Sequence, residues 1–258
     1  MRLTILGSGT SFGVPVVGCT CAVCTSDDPR NKRMRTAALV ETDDGRHLLI
    51  DTPPEIRLQL LAAHAPGVDA VLYTHEHADH THGIDDLRAV SARHRTVVPV
   101  YGSSGVLSQL AARFPYIFDD RIQPPPGSSK PCLRPIPLAP FEPVEIAGVS
   151  VLPLPVPHGD MTVFGYRLGP IGYVTDAKTV PPDVVERLRG VRVLVLNALF
   201  DQPHPTHLSI PEAIAVAQEV GAEQTVLTHL THRHDHATLA QRLPAGVAPA
   251  HDGLSFTF

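Results

Sequence analysis

The sequence predicts an α/β fold in which one sheet packs on another with helices outside. Three observations predict it. Short β-branched runs alternate with segments of helical period. They fall into two comparable halves with no short-period repeat. The 258 residues include 43% hydrophobic and 18% charged side chains, enough for a large buried core without disulfides. No linker breaks the pattern, so a single domain, 1–258, is expected.

The elements follow in order. Residues 2–6 read as a strand, and a loop rich in Gly and Cys comes next. Residues 37–41 and 47–50 read as a hairpin around Asp43-Asp44-Gly45. Residues 54–64 have helical period, with Pro54 in the first turn. A short apolar strand spans 68–73, a helix 83–94, a strand 96–100 and a helix 104–113. Residues 118–143 are proline-rich and irregular, and read as a loop or cap. Strands return at 144–156, 163–168 and 171–175. A helix at 184–188, a strand at 191–196, a helix at 210–220, a strand at 226–228 and a helix at 235–242 lead to a closing strand at 254–258.

Composition narrows the function. No apolar run reaches the ~18 residues of a membrane-spanning helix. The first residues read as a strand and turn rather than a signal peptide, so a cytoplasmic location is expected. A net charge of −5 argues against a general nucleic-acid binder. Four Cys without a secretion signal suggest metal or reactive thiols before disulfides. The 26 Pro are spread out and read as stiff loops, whereas the 15 His cluster, and the cluster carries the chemistry.

That cluster is Thr74-His75-Glu76-His77-Ala78-Asp79-His80, directly after an apolar strand. Neutral imidazole and carboxylate suit Zn²⁺, Mn²⁺ or Fe²⁺. His75 and His77 can point to one centre while Asp79 and His80 turn to a second. Further ligands stand at later strand ends: His158, Asp176 and His229. A second motif, Gly18-Cys19-Thr20-Cys21-Ala22-Val23-Cys24, places three thiols within six residues. Thiolates so spaced suit a tetrahedral structural Zn²⁺, with Cys132 or a His between positions 228 and 234 as fourth ligand.

These residues resemble the metallo-β-lactamase fold superfamily. Its pattern is His-x-His-x-Asp-His, then a His, an Asp and a His, and all seven positions are filled here. The resemblance implies a four-layer αβ/βα sandwich. It also implies a first metal on His75, His77 and His158, a second on Asp79, His80 and His229, and Asp176 bridging. The cysteine motif, with Leu-Thr-His-x-x-His at 227–232, is similar to the phosphoribosyl 1,2-cyclic phosphate phosphodiesterase-like subgroup of the carbon–phosphorus lyase pathway. That similarity implies His232 as the fourth zinc ligand, with Cys132 an ordinary thiol. It further implies Asp51 as a carboxylate orienting a ligand histidine, and His207 as the group that protonates the leaving oxygen or stabilises the transition state.

The expected activity is a dinuclear metal-dependent phosphodiesterase, with Asp79 and His207 in catalysis. It would open a small cyclic phosphodiester through a metal-activated water. The expected cofactors are two divalent ions, Mn²⁺ or Zn²⁺, plus one structural Zn²⁺. A small phosphodiester is the expected partner, with a homodimer as an option and neither membrane nor nucleic acid. The rival activities are a tRNA 3′-processing endonuclease, a lactone or thioester hydrolase, and a non-catalytic metal-binding protein. Arg30, Lys32, Arg33 and Arg35 read as a solvated basic face, or else as phosphate steering. Ser8 and Thr10 are candidates for phosphate contact. His82, His204, His234, His236 and His251 read as solvated or as supporting the ligands.

Overall fold

In Leu48-Leu49-Ile50 all three side chains are fully buried, Leu48 and Ile50 in one apolar cluster and Leu49 in another. Successive side chains of a strand point to opposite faces, so such a strand must be covered on both sides. The computed structural model, which describes residues 1–258, covers it with a second sheet on one side and helices on the other.

The first sheet contains β1 (Arg2–Gly7), β2 (Ala37–Glu41), β3 (His47–Ile50), β4 (Ala70–Leu72), β5 (Val98–Gly102) and β6 (Leu133–Pro137). The second contains β7 (Val144–Ile146), β8 (Val149–His158), β9 (Met161–Leu168), β10 (Ile171–Val174), β11 (Val193–Asn197), β12 (Gln224–Thr228) and β13 (Val247–Pro249). The last strand, β14 (Ser255–Thr257), returns to pair with β1. The sheet orders are β14-β1-β2-β3-β4-β5-β6 and β13-β12-β11-β10-β9-β8-β7. From β3 to β6 and from β10 to β13 the pairs are parallel, and the others are antiparallel.

Between the sheets lie Leu3, Ile5, Val40, Leu48 and Ile50 from the first and Val151, Tyr166, Tyr173, Val195 and Val226 from the second. Outside the first sheet pack α1 (Ile56–Ala62), α3 (Leu87–His94) and α4 (Ser104–Arg113), through Ile56, Leu87 and Leu110. The short helices α2 (Ala78–Thr81) and α5 (Pro115–Phe118) lie on the same half of the chain. Outside the second sheet pack α6 (Pro182–Leu188), α7 (Ile210–Val220) and α8 (His236–Arg242), through Val184, Ile210 and Leu239. The result is a four-layer αβ/βα sandwich. Each fully buried Leu, Ile or Val contributes roughly 1.5–3 kcal/mol.

Beyond the short helices α2 and α5, which the sequence expectation lacks, three departures concern strands. The proline-rich 118–143 segment contains a strand, β6. Its Pro135 and Pro137 are tolerated because β6 is the edge of its sheet. The expected strand 144–156 is a hairpin, broken at Ala147 (φ 48°) and Gly148 (φ 77°). Positive φ at both central residues is what a two-residue type I′ turn requires. Third, β13 is a three-residue strand with no sequence signal of its own. No helix is long and apolar enough to cross a membrane.

Candidate metal centres

Polar side chains collect where strands end. Asp51 follows β3, His75 follows β4, His158 ends β8, Asp176 follows β10 and His229 follows β12. All five strands run the same way within their sheets, so these are all carboxyl ends, where open α/β sheets bind ligands. Three of these residues leave their strands in the left-handed conformation: Asp51 (φ 63°), Asp176 (φ 56°) and His229 (φ 59°). That conformation costs a non-glycine residue roughly 1–3 kcal/mol and persists only where the surroundings impose it. Within the His motif, His77 caps α2, so Asp79 and His80 ride on the helical turn while His75 and His77 precede it. Gly83 lets that turn pack closely, since a Cβ there would lie 2.1 Å from the Pro53 carbonyl oxygen.

Every expected ligand reaches this rim. His75, His77 and His158 form one set, and Asp79, His80 and His229 another, with ligand atoms within 4.8 Å of one another in each. Asp176 stands against both sets: a carboxylate oxygen lies within 4.8 Å of His75 and of His158, Oδ2 lies 3.3 Å from His80 Nε2 and Oδ1 3.2 Å from His229 Nε2. His207 joins here too, its Nε2 2.9 Å from Asp176 Oδ1 and its Nδ1 2.8 Å from Thr206 Oγ1.

Hydrogen bonds fix which ring nitrogens face the centre. Asp51 is fully buried and accepts from His80 Nδ1 at 2.7 Å and from the Thr74 amide and hydroxyl at 2.8 Å each. Because the Thr74 hydroxyl donates to Asp51, it accepts from His75 Nδ1 at 2.9 Å. His158 Nδ1 donates to the Thr206 carbonyl at 2.9 Å. His75, His80 and His158 therefore all turn Nε2 inward, the nitrogen that can bind a cation once it carries no proton; His75 Nε2 lies 3.0 Å from His77 Nδ1 of the same set. His80 Nε2 and His229 Nε2 are buried without any hydrogen bond. Buried polar atoms are normally paired, and these stand beside carboxylates. The donor set fits divalent cations.

The charges agree. Burial penalises the Asp176 carboxylate, yet His229, His80 and His207 pull its pKa well below the usual range. Burial also opposes charge on His80, but Asp176, Asp51 and Asp79 raise its pKa well above that of a free histidine. Burial pushes His207 down, against the pull of Asp176. The site is an anionic well that demands protons or metal.

The thiols form a separate centre. His232 Nδ1 lies 3.3 Å from Cys19 Sγ and 3.5 Å from the Sγ of both Cys21 and Cys24. With Zn–S near 2.3 Å and Zn–N near 2.0–2.1 Å, a tetrahedron has S···N edges of about 3.5 Å, so the four residues fit a Zn²⁺. Cys132 is exposed and lies by Ser91, 3.1 Å from its amide nitrogen to Ser91 Oγ, and takes no part.

Two expectations fail in part. The basic cluster is a solvated face only at Arg30 and Lys32, which are exposed; Arg35 is half-buried and Arg33 buried. Arg33 is 1% exposed and donates to the carbonyls of Thr231 and His234 at 2.8 Å each. Arg30 pairs with Asp28, Arg35 with Glu55, and Lys32 donates to the Cys24 carbonyl. Ser8 is wholly buried, its amide and hydroxyl both 2.8 Å from Asp252 Oδ1, and cannot meet a substrate. Of the unassigned histidines, His234 and His236 are buried away from solvent, and His204 stands beside His207 with ring centroids 5.3 Å apart. Thr74, Thr206 and Arg33 support the site unannounced. Thr74 adjoins the His motif, but nothing in the sequence marks the other two.

The model of the β-lactamase superfamily domain matches residues 46–230. The chain belongs to the β-lactamase superfamily. Among solved structures, it is similar to a diphosphatase from the PhnP family, with 38% identity, a TM-score of 0.91 and coverage of 100% of this chain and 97% of that one. Family and neighbour place the chain in the PhnP-like subgroup of this superfamily. Zn²⁺-bound PqqB from Methylobacterium extorquens shares the fold, with 22% identity, a TM-score of 0.80 and 100% coverage of both chains. The octanoyltransferase of Porphyromonas gingivalis is 41% identical over 98% of this chain and 51% of its own length. The chain spans about half the length of the first curated relatives it matches.

Proposed function

We propose that the protein is a dinuclear phosphodiesterase acting on a small cyclic phosphodiester, such as phosphoribosyl 1,2-cyclic phosphate. The observation that carries this reading is Asp176, which lies within 4.8 Å of ligand atoms of His75 and His158 from the first set and 3.3 and 3.2 Å from His80 and His229 of the second. His75, His77 and His158 would hold one divalent ion, Asp79, His80 and His229 a second, with Asp176 shared. Cys19, Cys21, Cys24 and His232 would hold a structural Zn²⁺. Bound at such a site, Mn²⁺ or Zn²⁺ makes water acidic enough to attack near neutral pH and offsets charge on phosphoryl oxygens.

The chain's own residues set up the rest. Asp51, through Thr74 for His75 and directly for His80, keeps both rings in one tautomer and one orientation. The Thr206 carbonyl does the same for His158. His207 holds a proton on Nε2 against Asp176 and lines an open cavity, so it is placed to pass that proton to the departing oxygen. In the balanced reaction, water oxygen joins phosphorus, one P–O ester bond breaks, and the leaving oxygen takes a proton. A phosphate monoester remains.

A second substrate reading, a diphosphate, is favoured by the resemblance to the PhnP-family diphosphatase. The test is a metal-reconstituted assay with phosphoribosyl 1,2-cyclic phosphate, a nucleoside diphosphate, precursor tRNA and a lactone, run in ¹⁸O-water. The expected result is one labelled oxygen in a monoester made from the cyclic phosphate. Labelled phosphate from the diphosphate alone would favour the second reading. Turnover of the lactone alone would overturn both.

A further inference from the structure

Strand β11 ends an apolar run with an amide: Val193, Leu194, Val195 and Leu196 are followed by Asn197, and every one of them is buried. A buried amide is costly unless it is hydrogen-bonded. Asn197 stands one residue past the paired Val174 and Leu196, where β10 has ended beside it. Its side chain closes on a single residue there. Oδ1 accepts from the Ala177 amide at 2.9 Å, and Nδ2 donates to the Ala177 carbonyl at 3.1 Å. Exchanging oxygen and nitrogen would satisfy neither bond, so the pairing fixes the amide's orientation.

Ala177 follows Asp176, the non-glycine residue at φ 56°. Such a conformation persists only where the surroundings impose it. The Ala177 carbonyl also accepts from the Leu208 amide at 2.8 Å. The turn that carries Asp176 and the loop that carries His207 are therefore joined at one peptide unit, and Asn197 grips that unit from both sides. The carboxylate itself is held at its oxygens: the Thr175 hydroxyl donates to Oδ2 at 2.6 Å, and His207 Nε2 lies 2.9 Å from Oδ1. What those two contacts do for the oxygens, Asn197 does for the backbone beneath them.

We propose that Asn197 is a positioning residue for Asp176: by clamping Ala177 it keeps Asp176 and His207 in one frame, so that one carboxylate can serve both rim ions. This rests on the dinuclear reading for the role of Asp176. The position requires an amide. Aspartate would keep an acceptor for the Ala177 N–H but set a carboxylate oxygen against the Ala177 carbonyl. Leucine would leave that N–H unpaired, and Ala177 is wholly buried.

The test is electron paramagnetic resonance, with metal titration against a chelator dye, on protein that keeps zinc on its thiols and carries Mn²⁺ at the rim. Two Mn²⁺ ions sharing a carboxylate are exchange-coupled and lose the six-line signal of isolated ions. Asn197→Asp and Asn197→Leu should each weaken the second Mn²⁺ roughly 10–100-fold and bring the six-line signal back, with thiol zinc unchanged. An amide that served stability alone would lower the melting temperature and leave the coupling as it was. Wild-type coupling and affinity in either folded variant would therefore overturn the proposal. Should Asn197→Leu not fold, the nearly isosteric Asn197→Asp decides. Failure of the dinuclear reading looks different: the wild type itself would show no coupled pair, and both readings would fall together.

Discussion

Asp51 sets two rings at once. One oxygen takes the His80 Nδ1 proton and the Thr74 hydroxyl, and through that hydroxyl the carboxylate also directs His75. Asp51→Asn would put an amide NH₂ where an acceptor is required or leave one ring unheld. We expect divalent-ion affinity to fall about 10–100-fold with the fold intact, measured by competition with a chelator dye. Unchanged affinity would refute the orienting role. Asp252 supports the loops differently. Burial raises its carboxyl to about 6 from 3.8, even though Ser8 and the Met34 amide donate to it. The folded protein therefore binds a proton there that the unfolded chain releases. Its contribution is present below about pH 4 and lost as pH rises through about 6, on the order of 3 kcal/mol in full. Asp252→Asn should flatten the dependence of unfolding free energy on pH between 4 and 6, measured by denaturant titration. An unchanged slope would count against it. Ligand-type residues were legible at this scale because imidazoles, thiols and carboxylates announce their chemistry. The orienting partners were not: Thr74 and Thr206 act through one hydroxyl and one carbonyl, which any sequence supplies.

At the scale of elements, the segment after β12 unites the two centres. His229 leaves the strand, Leu230 exchanges backbone hydrogen bonds with Ser8 and Thr10, and His232 reaches the thiols. Buried Arg33 clamps its carbonyls from the other side. Arg33 looked like part of a charged surface because charge alone does not reveal burial, and its partners are backbone atoms about 200 positions away. Cys21→Ser should release one equivalent of zinc and lower the melting temperature by several degrees, read by metal analysis and calorimetry. It should also weaken metal binding at the rim, since His229 shares the displaced segment. Full zinc content would refute the cysteine site. Strand prolines misled in one place only. Pro153, Pro155 and Pro157 alternate along β8 beyond its contact with β7, so their missing N–H groups face the side where β8 has no partner strand. The apolar run remained readable there, whereas in β6 two prolines in five residues hid a strand.

For the molecule as a whole, continuous apolar runs such as 48–50 and 193–196 disclosed sheets covered on both faces. The convergence of strand ends could be inferred from their order but not measured. The rim draws ligands from both sheets: Asp79 and His80 lie on the first half, and His158, Asp176 and His229 on the second. Divalent ions there should staple the halves together. At a thousandfold excess over its dissociation constant, a bound ion adds about 4 kcal/mol. Stripping with EDTA should therefore lower the calorimetric melting temperature by roughly 10 °C, and readdition of Mn²⁺ or Zn²⁺ should restore it. An unmoved melting point would deny the cations a structural share.

The chain's two ends meet on the far side. Arg2 pairs with Thr257, and the Phe258 amide donates to the Met1 carbonyl at 2.9 Å. Since β1 runs parallel to β3, this junction lies at the opposite pole from Asp51. A short tether could close the polypeptide into a ring, and cutting it afresh in an exposed turn would give a circular permutant with its rim undisturbed. By the same geometry, cargo grafted at either terminus would hang behind the molecule, clear of anything entering from the front.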